Sequence, residues 1–296
     1  MSENSKKGYL VLVGGAEDKK EDKIVLKRII GLNNAKNIAV IPTASEYPGT
    51  LGDAYYHAFR ELGVETINIL DIRTKEEANQ KEFIEKLNQA DLLFFTGGDQ
   101  CKLVKAFIGT AFYARLLERH ETEGLTIAGT SAGAAGASNP MIFDGDYQGL
   151  TKGAIHYSEG FGLIKDITID THFVARGRIG RLTSFLCSGY SKRGIGLGED
   201  TGIIIAPDNV FEVIGSGMVT TVSTDNLSFT NYDEIENNDK IVLMGVQAGF
   251  LQPGTVFDIN KWDVLKSGVQ NYYTAPKETI STSKESFSTS ASEFVI

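Results

Sequence analysis

Five short β-rich runs alternate with amphipathic stretches through the first 130 residues, and that rhythm leaves few folds open. Tyr9–Val13 ends in Gly14-Gly15, Asn37–Ile41 ends in Pro42-Thr43, and Thr66–Leu70, Leu92–Phe95 and Leu125–Ala128 follow. Leu92-Leu-Phe-Phe95 is apolar at every position, as a strand buried on both faces requires. Between the runs, Lys23–Ile30, Ala54–Leu62 and Lys75–Leu87 carry helical patterns. The pattern predicts an α/β fold, a mostly parallel sheet covered by helices on both faces.

After Gly194 the pattern changes. Thr201–Ala206, Val210–Ile214, Met218–Val222 and Ile241–Val246 read as short strands with close turns, which predicts extra C-terminal β-hairpins finishing or flanking the sheet. The Ser- and Thr-rich stretch from about 274 to 296 has no apolar period and is expected to be a disordered tail. One α/β domain is therefore expected over residues 8–273.

Ligands of open α/β sheets bind at the carboxyl ends of strands. Three such ends carry unusual sequence: Gly14-Gly-Ala-Glu-Asp18, Thr96-Gly-Gly-Asp-Gln100, and Leu125-Thr-Ile-Ala-Gly-Thr-Ser-Ala-Gly-Ala134. The last contains Gly-x-Ser-x-Gly after an apolar run, the pattern of a nucleophile elbow. A strand turns sharply into a helix there, and small neighbours are needed because a Cβ would clash in so tight a turn. Ser131 stands at the corner, which proposes a covalent hydrolase.

A serine nucleophile needs a base within hydrogen-bond reach and a third group to orient that base. The chain has four histidines. His57 lies in a helical pattern, His120 in a charged helix end, and His156 in a loop-like stretch before Tyr157. His172 follows the short strand Ile167–Asp170 and precedes Phe173-Val-Ala-Arg-Gly-Arg-Ile-Gly-Arg181, so it sits in a polar cluster at a strand tip. Gly194-Ile-Gly-Leu-Gly-Glu-Asp-Thr201 offers Glu199 and Asp200 as the acid, although a plain turn with both carboxylates solvated has the same sequence. The order Ser131, His172, Glu199 differs from the Ser…Asp/Glu…His order of α/β-hydrolases, so the elbow does not imply a lipase or esterase. For an oxyanion hole, the amide of Ala132 is one natural donor, and Gly97-Gly98 can bring a second N–H close to a ligand. The same two glycines would serve an ordinary tight turn.

The formal net charge of −9 argues against nucleic-acid or anionic-membrane partners. Cys101 and Cys187 are far apart and suggest neither a metal cage nor a disulfide framework, so a reducing compartment is expected. The N-terminal stretch is polar, without the apolar core of a signal peptide. No run approaches the roughly 18 apolar residues of a membrane span. A cytoplasmic protein is the expectation.

Taken in order, Gly14-Gly-Ala-Glu-Asp18, Ile41-Pro-Thr-Ala-Ser45, Phe95-Thr-Gly-Gly-Asp-Gln100, Gly129-Thr-Ser-Ala-Gly-Ala134, Asp170-Thr-His-Phe173 and Gly194–Thr201 resemble peptidase family S51. The resemblance runs from about Gly8 to Asp258. It implies a fold similar to class I glutamine amidotransferases, with serine where those enzymes carry cysteine. It further implies a catalytic triad of Ser131, His172 and Glu199 and no metal or cofactor, beside the oxyanion donors read above at Gly98 and Ala132. The implied activity is hydrolysis of cyanophycin, a poly-aspartate backbone bearing arginine on its β-carboxyls, to β-aspartyl-arginine dipeptides by a homodimeric enzyme.

The positions that match the family's substrate contacts are Gln100, Asp170, Arg176, Arg178 and Arg181, and Thr171 occupies a further contact position. Arginines suit the polymer's carboxylates through forked hydrogen bonds, and Asp170 suits a substrate cation. On residue chemistry alone, Arg176, Arg178 and Arg181 also read as an exposed helix start with surface salt bridges. One position departs from the family pattern: Thr171 stands where a glutamine is expected, and it lacks an amide's paired donor and acceptor. That substitution leaves open a preference for a lysine-bearing polymer. An aspartyl dipeptidase of the same family, with a small closed pocket, and a non-catalytic binding protein that keeps the fold are the competing readings.

Overall fold

The computed structural model describes residues 6–145 and 149–268. The expected Ser/Thr-rich tail lies outside the described residues. The first half of the chain runs β1 (Leu10–Val13), α1 (Ile24–Gly31), β2 (Asn37–Ile41), α2 (Pro48–Glu61), β3 (Thr66–Ile69), α3 (Lys75–Ala78), α4 (Lys81–Gln89), β4 (Leu92–Phe95), α5 (Gln100–Phe107), α6 (Ala111–Thr122) and β5 (Thr126–Thr130). Then come α7 (Ala132–Ala135), the hairpin β6 (Met141–Gly145) and β7 (Ile155–Ser158), β8 (Ile167–Asp170), α8 (Ile179–Cys187), β9 (Arg193–Leu197) and β10 (Thr201–Ile205). The remainder is strand: β11 (Val210–Gly215), β12 (Val219–Ser223), β13 (Phe229–Thr230), β14 (Leu243–Met244), β15 (Gln247–Leu251), β16 (Val256–Asp258) and β17 (Asp263–Lys266).

The central sheet has the order β17-β16-β11-β10-β1-β5-β4-β2-β3. From β1 to β3 every pairing is parallel, and from β1 to β17 every pairing is antiparallel. The parallel half is the expected α/β core, and the antiparallel half is the C-terminal hairpin addition. Because strand side chains alternate, Leu10, Leu12, Ala39, Ile41, Leu93 and Phe95 face one side. Val11, Val13, Ile38, Val40, Leu92 and Phe94 face the other. Helices cover both faces: α1 and α2 pack on the second through Leu26, Ile29, Tyr55 and Phe59. On the first face α5 and α6 pack through Leu103, Phe107, Phe112 and Leu116. Burial on both sides is why these strands read as continuous apolar runs, each large side chain contributing about 1.5–3 kcal/mol.

A second sheet, β15-β12-β9-β8, stands beside the first. Its β8 and β9 are parallel, with Asp170 paired to Gly196, so their carboxyl ends lie side by side. In the central sheet β1 and β5 are likewise parallel, with Val13 opposite Thr130. The strand ends that carry Gly14-Gly15, Ser131, His172 and Glu199 therefore come from two parallel pairs.

Three local expectations change. Lys75–Leu87 is two helices, split at Asn79-Gln80, where Asn79 Oδ1 accepts from the Ala111 amide at 2.7 Å and ties the break to the start of α6. Ile241–Val246 yields only the two-residue β14, because Val242 and Met244 are 54% and 64% exposed and have no core to face. His156 stands in strand β7 rather than a loop. No helix among the described residues is long and apolar enough to cross a membrane.

Candidate active site

Ser131 follows β5 directly, with φ 51° and ψ −107°, a left-handed conformation that side chains rarely adopt. Its amide donates to Val13 O at 2.9 Å, which pins the corner to β1. The flanking glycines are steric necessities. A Cβ on Gly129 would lie 2.5 Å from the Gly133 carbonyl, and one on Gly133 would lie 2.6 Å from Phe95 O. The Gly-x-Ser-x-Gly pattern is thus the sequence trace of a turn packed backbone to backbone.

His172 follows β8 with φ 49°, and its amide donates to Gly14 O at 2.8 Å. Its Nε2 lies 2.9 Å from Ser131 Oγ, and its Nδ1 lies 2.7 Å from Glu199 Oε1. The Glu199 carboxylate is the acceptor of that second bond. This assigns the proton to Nδ1 and leaves Nε2 to accept from the serine hydroxyl. Burial holds the His172 pKa below its ordinary value of 6.5; Glu199 opposes the shift, and the positive charges of Arg176 and Arg178 add to it. The imidazole is therefore a neutral base at neutral pH. Of the two carboxylates in the turn after β9, only Glu199 reaches the histidine. Asp200 holds the turn, accepting from the Asp18 amide at 3.0 Å and the Ser216 hydroxyl at 2.6 Å.

Gly98 and Ala132 flank the serine. Gly98 has φ 139°, and a Cβ there would sit 2.0 Å from Ala44 O. A Cβ on Gly97 would meet Ser131 Cβ at 3.3 Å, so this loop lies against the serine side chain. Neither the Gly98 nor the Ala132 amide donates to any partner among the described residues. Two unused N–H groups beside a serine hydroxyl are what an oxyanion hole requires.

The cavity over Ser131 has a volume of about 450 Å³ and is lined by Gln100, Thr171, Arg176 and Arg178 among others. Arg176 is exposed and has no ion-pair partner among the described residues. Gln100 also donates through Nε2 to Ile142 O at 3.0 Å, which ties α5 to the β6–β7 hairpin. Two expected substrate contacts lie elsewhere. Asp170 is 1% exposed and Arg181 is 2% exposed, and neither lines the cavity. Asp170 accepts from Arg178 Nη1 at 3.2 Å, from Arg181 Nε at 3.0 Å and Nη2, and from the Thr171 amide at 2.8 Å. The carboxylate expected to meet a substrate cation is occupied by two of the chain's own arginines. Instead, Asp99 and Asp144 are the carboxylates that line the cavity, with Phe143 beside them. Sequence reasoning missed Phe143 and Asp144 because only the pairing of β6 with β7 brings them there. Among the described residues no group of three or more His, Cys, Asp or Glu side chains could hold a metal ion.

Residues 10–213 match the description of Peptidase family S51. A cyanophycinase of Geminocystis herdmanii (strain PCC 6308) is 33% identical over 248 residues, covering 83% of this chain and 91% of that one. A cyanophycinase of Trichormus variabilis (strain ATCC 29413 / PCC 7937) is 34% identical over 263 residues, covering 88% of each. The crystal structure of a peptidase from an acI-B1 actinobacterium superposes with a TM-score of 0.65 at 22% identity, over 86% of this chain and 98% of that one, a likeness of fold. The family match spans the serine elbow, the histidine strand and the glutamate turn, and on it the chain belongs to peptidase family S51 and is a serine-type peptidase.

Proposed function

We propose that the chain is a serine exopeptidase that hydrolyses cyanophycin to β-aspartyl-arginine dipeptides through an acyl-enzyme on Ser131. The observation that carries the reading is the hydrogen-bonded series Ser131 Oγ, His172 and Glu199, set beside the two unused amides of Gly98 and Ala132. His172 Nε2 takes the serine proton as Oγ attacks the scissile carbonyl. The two amides hold the oxyanion, each donor lowering the barrier by about 2.7–4 kcal/mol. Glu199 stabilises the imidazolium, which then protonates the leaving amine, and a water activated by the same histidine releases the acyl group.

The substrate reading rests on the relatives' name and on the charges around the cavity. Each unit of an arginine-bearing polyaspartate offers one free carboxylate and one guanidinium. Arg176 and Arg178 suit the carboxylate by forked, charge-assisted bonds. Asp99 and Asp144 suit the guanidinium, the role first assigned to Asp170. Thr171 lines the cavity with its amide held by Asp170 and its carbonyl by Arg178, and its side chain is shorter than the glutamine expected there. That difference keeps the lysine-bearing polymer as a second substrate to test.

The reading includes one catalytic domain over residues 8–273 in a cytoplasmic homodimer. The free cysteines Cys101 and Cys187 fit a reducing compartment. The decisive experiment incubates the enzyme with arginine-bearing and lysine-bearing polymers and determines product masses. Release of β-aspartyl-arginine supports the reading. Release of neither dipeptide overturns it.

A further inference from the structure

The last residue of β1 and the loop after it supply no triad member, yet all three catalytic segments hang from them. Val13 O takes the Ser131 amide at 2.9 Å, Gly14 O takes the His172 amide at 2.8 Å, and Gly15 O takes the Asp200 amide at 2.9 Å. Within this loop Glu17 is 3% exposed and lines no part of the serine cavity. Its Oε2 accepts from Thr130 Oγ1 at 2.6 Å, and its Oε1 accepts from the Tyr55 hydroxyl. Lys19 Nζ lies 3.3 Å from Oε1 and 4.9 Å from the centroid of the Tyr55 ring. Every partner is a donor, which matches an acceptor-only carboxylate.

Burying a carboxylate is costly, and an apolar residue of similar size would serve packing at least as well. What an apolar residue could not do is grip Thr130. That residue is 2% exposed and is the last of β5, next to the strained Ser131. The other end of the grip is firm: Tyr55 is 2% exposed and packs against Phe94 at 4.8 Å and Phe59 at 6.1 Å between ring centroids. Burial and the Glu17 charge both push the Tyr55 pKa well up, so its hydroxyl stays a donor.

We propose that Glu17 is a positioning residue for the nucleophile, acting through Thr130 to fix the pitch of the elbow so that Ser131 Oγ meets His172 Nε2. This rests on the reading of Ser131 as the nucleophile and is independent of which polymer is cleaved.

The test is the second-order rate of labelling by a serine-directed fluorophosphonate, scored per site by intact mass, with folding checked by circular dichroism. Glu17→Leu and Thr130→Val should each slow labelling about tenfold, the scale of a sub-ångström misplacement. The double variant should be slowed no more than either single one, because both break the same link. Thr130→Ser keeps the hydroxyl and should label within about twofold of the wild type, and the pH midpoint of labelling should not move in Glu17→Gln. Wild-type labelling in folded Glu17→Leu overturns the proposal. So does a double variant slowed by the product of the two single effects. A shifted pH midpoint would assign Glu17 to the electrostatics of His172 and overturn the positioning role. A wild-type chain that takes no label removes Ser131 as nucleophile and the proposal with it. A labelled wild type that leaves the arginine-bearing polymer intact removes only the substrate reading.

Discussion

Gly15 lies under the His172 imidazole, and replacing it with alanine tests whether the histidine's place is set by the loop after β1. A Cβ at Gly15 would stand 2.4 Å from His172 Cε1 and 2.5 Å from Nε2, where ordinary contact begins near 3.4 Å. The ring must retreat by about 1 Å, which stretches the 2.9 Å Ser131–His172 bond to about 3.9 Å, beyond hydrogen-bond range. A displacement of that size costs about a hundredfold in rate. The φ of 100° adds strain of about 1–2 kcal/mol, or about 2–8 °C in Tm for a domain of this size. Gly63→Ala separates the two effects. Gly63 has φ 86° with nothing within 4 Å of the added Cβ, so that variant should lose similar stability and keep its turnover. Dipeptide release and thermal melts are measured on both. If Gly15→Ala stays within about threefold of wild-type turnover, the reasoning from contact distance to rate is refuted.

Three further expectations follow from the site. Asp170→Asn strips Arg178 and Arg181 of their buried carboxylate and should cost about 3–5 kcal/mol, a fall of about 10 °C in Tm. An unchanged Tm with a raised KM would instead make Asp170 a substrate contact. The acid limb of kcat/KM should have its midpoint below 6.5, because His172 is held below that value and is active as the neutral base. Activity is full above that lowered pKa and is lost as pH falls through it; a midpoint above 6.5 would contradict the geometry. Arg176→Ala removes one of the charges that lower the histidine's pKa, so the same midpoint should move upward, and a downward move would show that Arg176 does not act on the imidazole.

The strands and the elbow at Ser131 were legible because each is a local signal. Buried parallel strands announce themselves as unbroken apolar runs, and the glycines of the elbow mark backbone contacts that admit no Cβ. The choice of Glu199 over Asp200 was not local. It depends on Asp200 being taken up by the Asp18 amide and Ser216, contacts that cross between loops. The same holds for Asp170, Arg178 and Arg181. Nothing in their spacing distinguishes three residues reaching for a ligand from three residues closing a buried ion cluster, and the two have opposite consequences when mutated. Phe143 and Asp144 reach the cavity through a hairpin whose register the sequence does not announce. Glu17 was visible as part of a motif, but its grip on Thr130 spans 113 residues of chain.

The account stands on Ser131 as the attacking group, and Ser131→Ala measures that most directly. Alanine fits the same corner without the hydroxyl, so the variant should fold and bind the arginine-bearing polymer as the wild type does. By mass analysis the wild type should release β-aspartyl-arginine and the variant none. A folded Ser131→Ala enzyme that releases the dipeptide at the wild-type rate would contradict the account.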